Sequence, residues 1–221
     1  METLAFKNKI PNIKKLLDFG FIKVQNKYQF KTDILNGDFS LTVTVSKGGE
    51  IITKTIDKST DEIYTLHLTN LSSGAYVGKL KEEYENFLNK ISDKCFDMDV
   101  FKSPHSKEAI KYVQEKYKSE PEFLWEKFTN NAVLRRKDTN KWYGILIILP
   151  KNKIIPNAKG QVEILDLRAE PNTVIEITDN KKIFPGYHMN KKHWITIPLD
   201  GSVPIDEIFS LLDTSYKLAT K

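Results

Sequence analysis

The chain has 221 residues, of which 40% are apolar and 29% charged, with a formal net charge of +5. This composition is ordinary for a soluble globular protein, and the length allows one large domain or two small ones. A single cysteine, Cys95, excludes an internal disulfide framework and a cysteine-based zinc site. The longest apolar run, Trp142–Leu149, is far below the ~20 residues that span a bilayer, and the first residues lack the apolar core of a signal peptide. We therefore expect a cytoplasmic protein with no membrane contact.

Positive charge is concentrated in one part of the second half. Residues 127–192 contain 13 basic and 6 acidic residues, a net of +7. Only three of the 34 basic residues are arginine: Arg135, Arg136 and Arg168. Because lysine is the default solvated residue of this chain, the arginines are more informative about function than the lysine count.

The first half predicts a small antiparallel sheet with helices on one face. A short helix follows Pro11, with Ile13, Leu16 and Leu17 facing inward. Three or four strands are predicted, over 28–35, 38–45, 50–56 and 62–68, with hairpin signals at Asn36-Gly37 and Gly48-Gly49. A helix over 79–92 closes this unit. The segment 92–106, which separates two predicted helices, places a domain boundary near residue 95. We therefore predict domains 1–95 and 96–221.

The second half predicts a similar α+β layout. Its strands are expected over 131–137, 142–150, 161–168 and 193–199, with helices over 106–119, where Ser106 is the candidate cap, and 204–219. The residues alone do not decide the secondary structure of 172–180. The run Thr173–Thr178 is rich in β-branched residues, which favours a strand, whereas Pro171 suits the first turn of a helix.

A family resemblance rests on the motif "FPGYHMNKKHWITI" (Phe184–Ile197), with "KWYGILI" and "VEILDLR" before it and "LDGSVP" after it. In order and spacing, residues 96–221 resemble the MmcQ/YjbR family, whose fold is called CyaY-like. The resemblance implies an antiparallel sheet backed by helices, with a helix at 172–180. Members are described as DNA-binding proteins with a paired-wing arrangement. Residues 1–95 lie outside the resemblance.

The motif itself is interpreted as structural and non-catalytic. We expect His188 and His193 to bond loop carbonyls, Asn190 to cap a turn, Pro185 and Gly186 to form a turn, and Trp194 to lie at the core edge. No Ser or Cys nucleophile accompanies the histidines, and their spacing does not suit a shared metal site. The CyaY-like name suggests iron, but lysines interrupt the glutamates of the helix at 106–119. We therefore expect no enzyme activity, cofactor or metal.

Two basic turns supply the leading functional hypothesis. Arg135, Arg136 and Lys137 end a predicted hairpin strand beside Lys141, and Lys191 and Lys192 form a second basic turn. As wings they would contact phosphates of double-stranded DNA, with Tyr187 stacking on a base. A solvated hairpin tip explains the same residues. The alternative function is a protein–protein or small-ligand module, which a deep apolar cleft would favour.

Overall fold

The computed structural model describes residues 4–69, 74–125 and 127–220. The chain divides into two compact units, Met1–Asp99 and Val100–Lys221. Within the described ranges, no helix has both the length and the apolar character needed to cross a membrane. The fold is α+β, as predicted, and each unit contains its own antiparallel sheet.

The first unit is built on a five-stranded sheet of order β2-β3-β4-β5-β6 and a two-stranded ribbon that pairs β1 with β7. Its elements are β1 Lys9–Pro11, α1 Ile13–Phe19, β2 Ile22–Val24, β3 Lys27–Ile34, β4 Phe39–Ser46, β5 Ile51–Asp57, β6 Glu62–Ile63, α2 Ala75–Cys95 and β7 Phe96–Met98. Strand β7 holds Phe96 in the core of this unit, with its ring 4.8 Å from that of Phe6. The division at 99/100 therefore lies a few residues beyond the boundary predicted at 95/96.

Two predictions in the first unit are wrong. Leu17 was expected to face inward, but it is 48% exposed, whereas Leu16 is fully buried. The strand predicted over 62–68 ends at Ile63, and a 3-10 turn follows over Leu66–Leu68. In that turn His67 is buried between aromatic rings and lies 3.2 Å from the Thr55 hydroxyl, and the flanking leucines are exposed. The strand was predicted on the assumption that the apolar residues point inward, whereas here the polar residue is buried and the leucines are exposed.

The second unit has a five-stranded sheet of order β11-β12-β10-β9-β8, antiparallel at every pairing. Its elements are α3 Pro104–Tyr117, β8 Asn131–Arg135, β9 Trp142–Pro150, β10 Gln161–Arg168, α4 Pro171–Ile177, β11 Phe184–Pro185, β12 Trp194–Pro198 and α5 Ile205–Leu218. The helix that the resemblance implied at 172–180 is present as α4. The cap of α3 is Ser103 and not Ser106: the Ser103 hydroxyl accepts the Ser106 N–H at 3.1 Å, and Pro104 occupies the first turn.

Strand alternation gives this sheet two different faces. On β10, Leu165 and Leu167 belong to the core beneath helices α3, α4 and α5. Ile164, their neighbour in sequence, belongs to a separate apolar cluster on the opposite face. Loops and aromatic side chains cover that second face, which we call the loop face.

Candidate functional site

The loop face contains an apolar pocket of about 470 Å³. Four aromatic residues line it: Trp125, Phe128, Trp142 and Tyr187. The remaining lining consists of Ile145, Ile147, Ile148, Leu149 and Met189, with Asn131 and His188 as the polar members. None of these side chains carries a fixed charge. The pocket can therefore hold an uncharged apolar group and offer it an amide and an imidazole.

The sheet forms the floor of this pocket, and two segments without regular structure form its walls. Ile145 and Ile147 are on β9, and both belong to the apolar cluster of the loop face. Trp125 and Phe128 precede β8, and the indole of Trp125 meets that of Trp142 edge to face at 5.8 Å. The other wall is Tyr187–Met189, between β11 and β12. Edge-to-face packing is a preferred arrangement of aromatic rings, and here it holds Trp125 against β9.

A buried carboxylate anchors the second wall. Asp166, on β10, is fully buried, and its register partners are Ile145 on β9 and Thr196 on β12. The Thr196 hydroxyl donates to Asp166 Oδ1 at 2.5 Å and accepts the Tyr187 N–H at 2.8 Å. Burial raises the pKa of the Asp166 carboxyl above its ordinary value, although these hydrogen bonds and the nearby His188 act in the opposite direction.

Gly186 fits the same wall against β12. Its N–H donates to the Trp194 carbonyl at 2.8 Å, and a Cβ at this position would lie 2.8 Å from Trp194 Cβ and 3.2 Å from that carbonyl oxygen. No other residue type fits without moving the strand. Within the motif, Asn190 Oδ1 accepts the Lys192 N–H at 2.9 Å, and Trp194 is buried.

The expected role of the two histidines is wrong. Both imidazoles are exposed, and neither makes a hydrogen bond to a described side chain or carbonyl. The His188 ring lies against Tyr187, with centroids 4.3 Å apart, at the rim of the pocket. Only the backbone of His188 is bound internally, through its N–H to Asp166 at 3.4 Å. Among the described residues, no group of three or more His, Cys, Asp or Glu side chains could hold a metal ion.

All three arginines lie over aromatic rings. The guanidinium carbon of Arg135 is 5.8 Å from the Trp142 centroid, that of Arg136 is 4.2 Å from Tyr216, and that of Arg168 is 4.8 Å from Trp194. A planar guanidinium can lie parallel to a ring while it donates in its own plane, which an ammonium group cannot do.

The hairpin arginines also have polar partners within the unit. Arg135 Nε donates to Glu122 at 2.9 Å, and Arg136 donates to the Tyr216 carbonyl at 2.9 Å and to Asp138. The Arg136 side chain is only 12% exposed. Its bond to Asp138 lowers the pKa of that carboxyl to about 2. Arg136 thus joins the hairpin to α5, and the solvated tip expected from the sequence is not formed by the arginines.

The lysines of the two turns are more accessible. Lys137, Lys191 and Lys192 are exposed, Lys141 is half-buried, and none of the four forms an ion pair with a described carboxylate. Sequence reasoning placed these residues at turns but missed the pocket and Asp166. The only signal for Asp166 was a carboxylate inside the apolar strand "VEILDLR", where an unpaired charge is unusual.

Comparison with known proteins supports the family. The YjbR family model matches residues 114–218, which include every residue of the pocket. The uncharacterized protein YyaQ of Bacillus subtilis is 37% identical over 111 residues, which cover 50% of this chain and 94% of YyaQ. The uncharacterized protein YjbR of Escherichia coli is 51% identical over 35 residues, 16% of this chain and 30% of that protein.

Similar solved structures cover about half of the chain. A Pseudomonas syringae crystal structure is 41% identical, covers 51% of this chain and 97% of its own, and superimposes with a TM-score of 0.49. A Deinococcus radiodurans crystal structure is 29% identical, covers 50% of this chain and 75% of its own, and has a TM-score of 0.40. With nearly all of YyaQ aligned and the family model matched across the second unit, the chain belongs to the YjbR family.

Proposed function

We propose that the second unit is a non-enzymatic binding module that takes a planar, uncharged group of a small ligand into the aromatic pocket. The observation that carries this proposal is the pocket itself, which combines four aromatic side chains with a lining free of fixed charge. Its volume falls within the range of about 300–1,000 Å³ typical of ligand sites. Such a lining favours stacking on a flat ring and disfavours a charged group, whose desolvation would find no counter-ion.

Two polar side chains supply orientation. The Asn131 amide and the His188 imidazole line the pocket, and neither makes a side-chain hydrogen bond to a described residue. An amide offers both a donor and an acceptor, and a neutral imidazole offers one of each. A heteroaromatic ring with polar edge atoms would satisfy both groups, so we infer a ligand of this class.

Catalysis is not part of this proposal. Nucleophilic catalysis needs a base that is hydrogen-bonded to a nucleophile and is itself oriented by a third group. The imidazole of His188 has no such bond among the described residues, and the carboxylate of Asp166 is buried beneath the wall. We also propose a cytoplasmic location and a CyaY-like fold for the second unit, as the composition and the motif suggested.

The pocket is tested with a neutral fluorescent probe, N-phenyl-1-naphthylamine, whose emission rises on apolar burial. We expect saturable binding by the intact chain, and Phe128→Ala should weaken it roughly tenfold, the effect of one lost aromatic contact. Phe128 is 61% exposed, so this change spares the fold. Ile175→Ala is the matched control, because Ile175 is an apolar residue that is 77% exposed on α4 and outside the pocket. Non-saturable binding, or equal losses in both variants, would contradict the proposal.

Duplex DNA is the second candidate ligand, favoured by the exposure of Lys137, Lys191 and Lys192. Binding through the backbone should be insensitive to sequence, and each phosphate contact should add about 0.9 to the slope of log K against log salt. The double change Lys191→Glu/Lys192→Glu should flatten that slope. Lys90→Glu/Lys94→Glu is the control, since these exposed lysines of α2 lie in the first unit and give the same change in net charge. Equal effects of the two pairs would indicate only a general charge effect.

A further inference from the structure

The structure places an ionisable group directly behind one wall of the pocket. Asp166 lies on the loop face of β10, because its neighbours Leu165 and Leu167 point into the helix-side core. Its register partner on β9, Ile145, lines the pocket, and its partner on β12 is Thr196. The carboxylate is therefore adjacent to the pocket but is itself fully buried.

Both carboxylate oxygens are used to hold consecutive backbone groups of the wall. Oδ1 accepts the Thr196 hydroxyl at 2.5 Å, and that hydroxyl in turn accepts the Tyr187 N–H at 2.8 Å. Oδ2 accepts the His188 N–H at 3.4 Å. Tyr187, His188 and the following Met189 are the residues that close this side of the pocket. The wall is thus attached to the sheet through the side chains of Asp166 and Thr196, next to the Gly186 N–H bond to the Trp194 carbonyl.

An ionised carboxylate is an expensive anchor at this position. Burial raises the pKa of Asp166, which means that the charged form is disfavoured relative to an exposed aspartate. An amide of the same shape would avoid that cost. Buried ionisable groups that are maintained against desolvation occur preferentially at functional sites.

The charged and titratable surroundings of Asp166 are few. The wall contributes His188, which lowers the pKa of the carboxyl through its charge, and Tyr187. On β10 itself the next residue on this face is Arg168, whose Nε donates to the Trp142 carbonyl at 2.5 Å and not to Asp166. The register partners on β9 and β12 are uncharged. Burial and the Thr196 hydroxyl are the largest influences on the pKa of this carboxyl, followed by the His188 and Tyr187 N–H groups of the wall.

We propose that Asp166 is the positioning residue of the pocket, and that ligand affinity is coupled to the binding of one proton at its carboxylate. This inference rests on the proposed function of the pocket. Ionised, the group accepts from both Thr196 and the His188 N–H. Once protonated, one oxygen carries a hydrogen and accepts more weakly, so one of the two links to the wall is lost. Affinity then falls as pH falls through the pKa of this carboxyl.

The wall can be tested without any ligand by following the amide resonances of Tyr187 and His188 from about pH 8 to about pH 4.5, around and above the ordinary aspartate pKa. A His188→Gln background removes the titration of the imidazole. We expect both amides to shift with one inflection above the ordinary aspartate value, and this inflection to vanish in Asp166→Asn. Amides that do not titrate, or that titrate equally with Asn present, would overturn the proposal.

The coupling is tested with N-phenyl-1-naphthylamine over the same pH range in a chain with native His188. Affinity should fall about tenfold towards low pH, the effect of one lost hydrogen bond to a charged group. Thr196→Val should weaken binding and Thr196→Ser should restore it, which keeps the test decisive if Asp166→Asn fails to fold. Affinity independent of pH overturns the coupling. Absence of probe binding at every pH, with normal amide titration, contradicts the proposed function instead and leaves Asp166 as the anchor of the wall.

Discussion

The two faces of the second sheet use the same strands for different purposes. Beneath the helices, Leu165 and Leu167 of β10 pack into a continuous apolar core with Val113 of α3 and Leu212 of α5. On the loop face, the same strand presents Ile164, Asp166 and Arg168. The helix-side face is a filled apolar core, whereas the loop face contains a buried ionisable group and an open pocket. Local features that cost stability are expected at sites selected for another reason.

Directed contacts of one side chain, Arg168, stabilise the rim of the loop face. Arg168 lies over Trp194 and donates to the Trp142 carbonyl, so it ties β12 to β9 across β10. Burial lowers the pKa of Arg168, yet a guanidinium remains charged throughout the physiological range. This arrangement fixes the Trp194 ring and the backbone of Trp142, whose side chain lines the pocket.

The largest expected effect is a difference in the free energy of unfolding between a variant of the helix-side face and a variant of the loop face. Leu165→Ala should lower the free energy of unfolding by about 2–5 kcal/mol, because it leaves a cavity in the helix-side core. Phe128→Ala, on the loop face, should change it by no more than about 0.5 kcal/mol. Urea unfolding monitored by circular dichroism measures both. Similar losses in the two variants would show that the loop face is as important for stability as the core.

A smaller effect is expected at the rim. Arg168→Lys keeps the charge but loses the guanidinium that lies over Trp194 and the Nε donor to the Trp142 carbonyl, so stability should fall by about 1–2 kcal/mol. Urea unfolding provides the measurement. Because the charge is unchanged, a loss must come from geometry; an unaltered midpoint would mean that an ammonium group replaces these contacts.

The buried carboxyl of the loop face should make stability depend on pH. The folded-state pKa of Asp166 is raised, so its contribution to stability is complete below the unfolded pKa of about 3.9 and is lost as pH rises through the folded pKa. As pH rises from about 3.9 through the folded pKa, the free energy of unfolding of the native chain should therefore fall relative to that of Asp166→Asn. Measuring the difference between the two proteins cancels the titration of all other groups. If the native chain instead gains stability relative to Asp166→Asn as pH rises, the folded protein stabilises Asp166 as the anion.

The smallest change is expected when the second unit is isolated. A fragment beginning at Val100 retains both faces of the sheet and should unfold cooperatively with the native probe affinity. It should begin there and not at Phe96, whose ring belongs to the core of the first unit. A fragment without a cooperative transition would show that the two units do not fold independently.

Much of the fold was predictable because it depends on local periodicity. Alternating apolar residues indicated strands β3, β4, β10 and β12, a continuous apolar run indicated β9, and helical spacing indicated α2, α3 and α5. The ambiguous segment that became α4 was assigned from the family resemblance, since its β-branched residues favour a strand by propensity alone. The strand predicted over 62–68 was wrong because the partners of His67 come from distant segments.

The site was less predictable, although its motif was visible. Sequence patterns marked Tyr187, the histidines and both basic turns, but they could not show that His188 and His193 are exposed while Arg136 is engaged with α5. Each of those outcomes depends on a contact between segments far apart in the chain. Residue types determine which chemistry is available, but they do not show which side chains come into contact in the folded chain.

The α+β class, most of the elements and the family could be recognised from the residue order, because periodicity and motif spacing are properties of neighbouring residues. The place of Asp166 behind the pocket wall, in contrast, depends on how the strands pair. Its position follows from the register of β10 between β9 and β12, which brings it opposite Ile145 and Thr196. Register is set by side-chain packing across the whole sheet, and a shift of one residue would turn this carboxylate into the helix-side core.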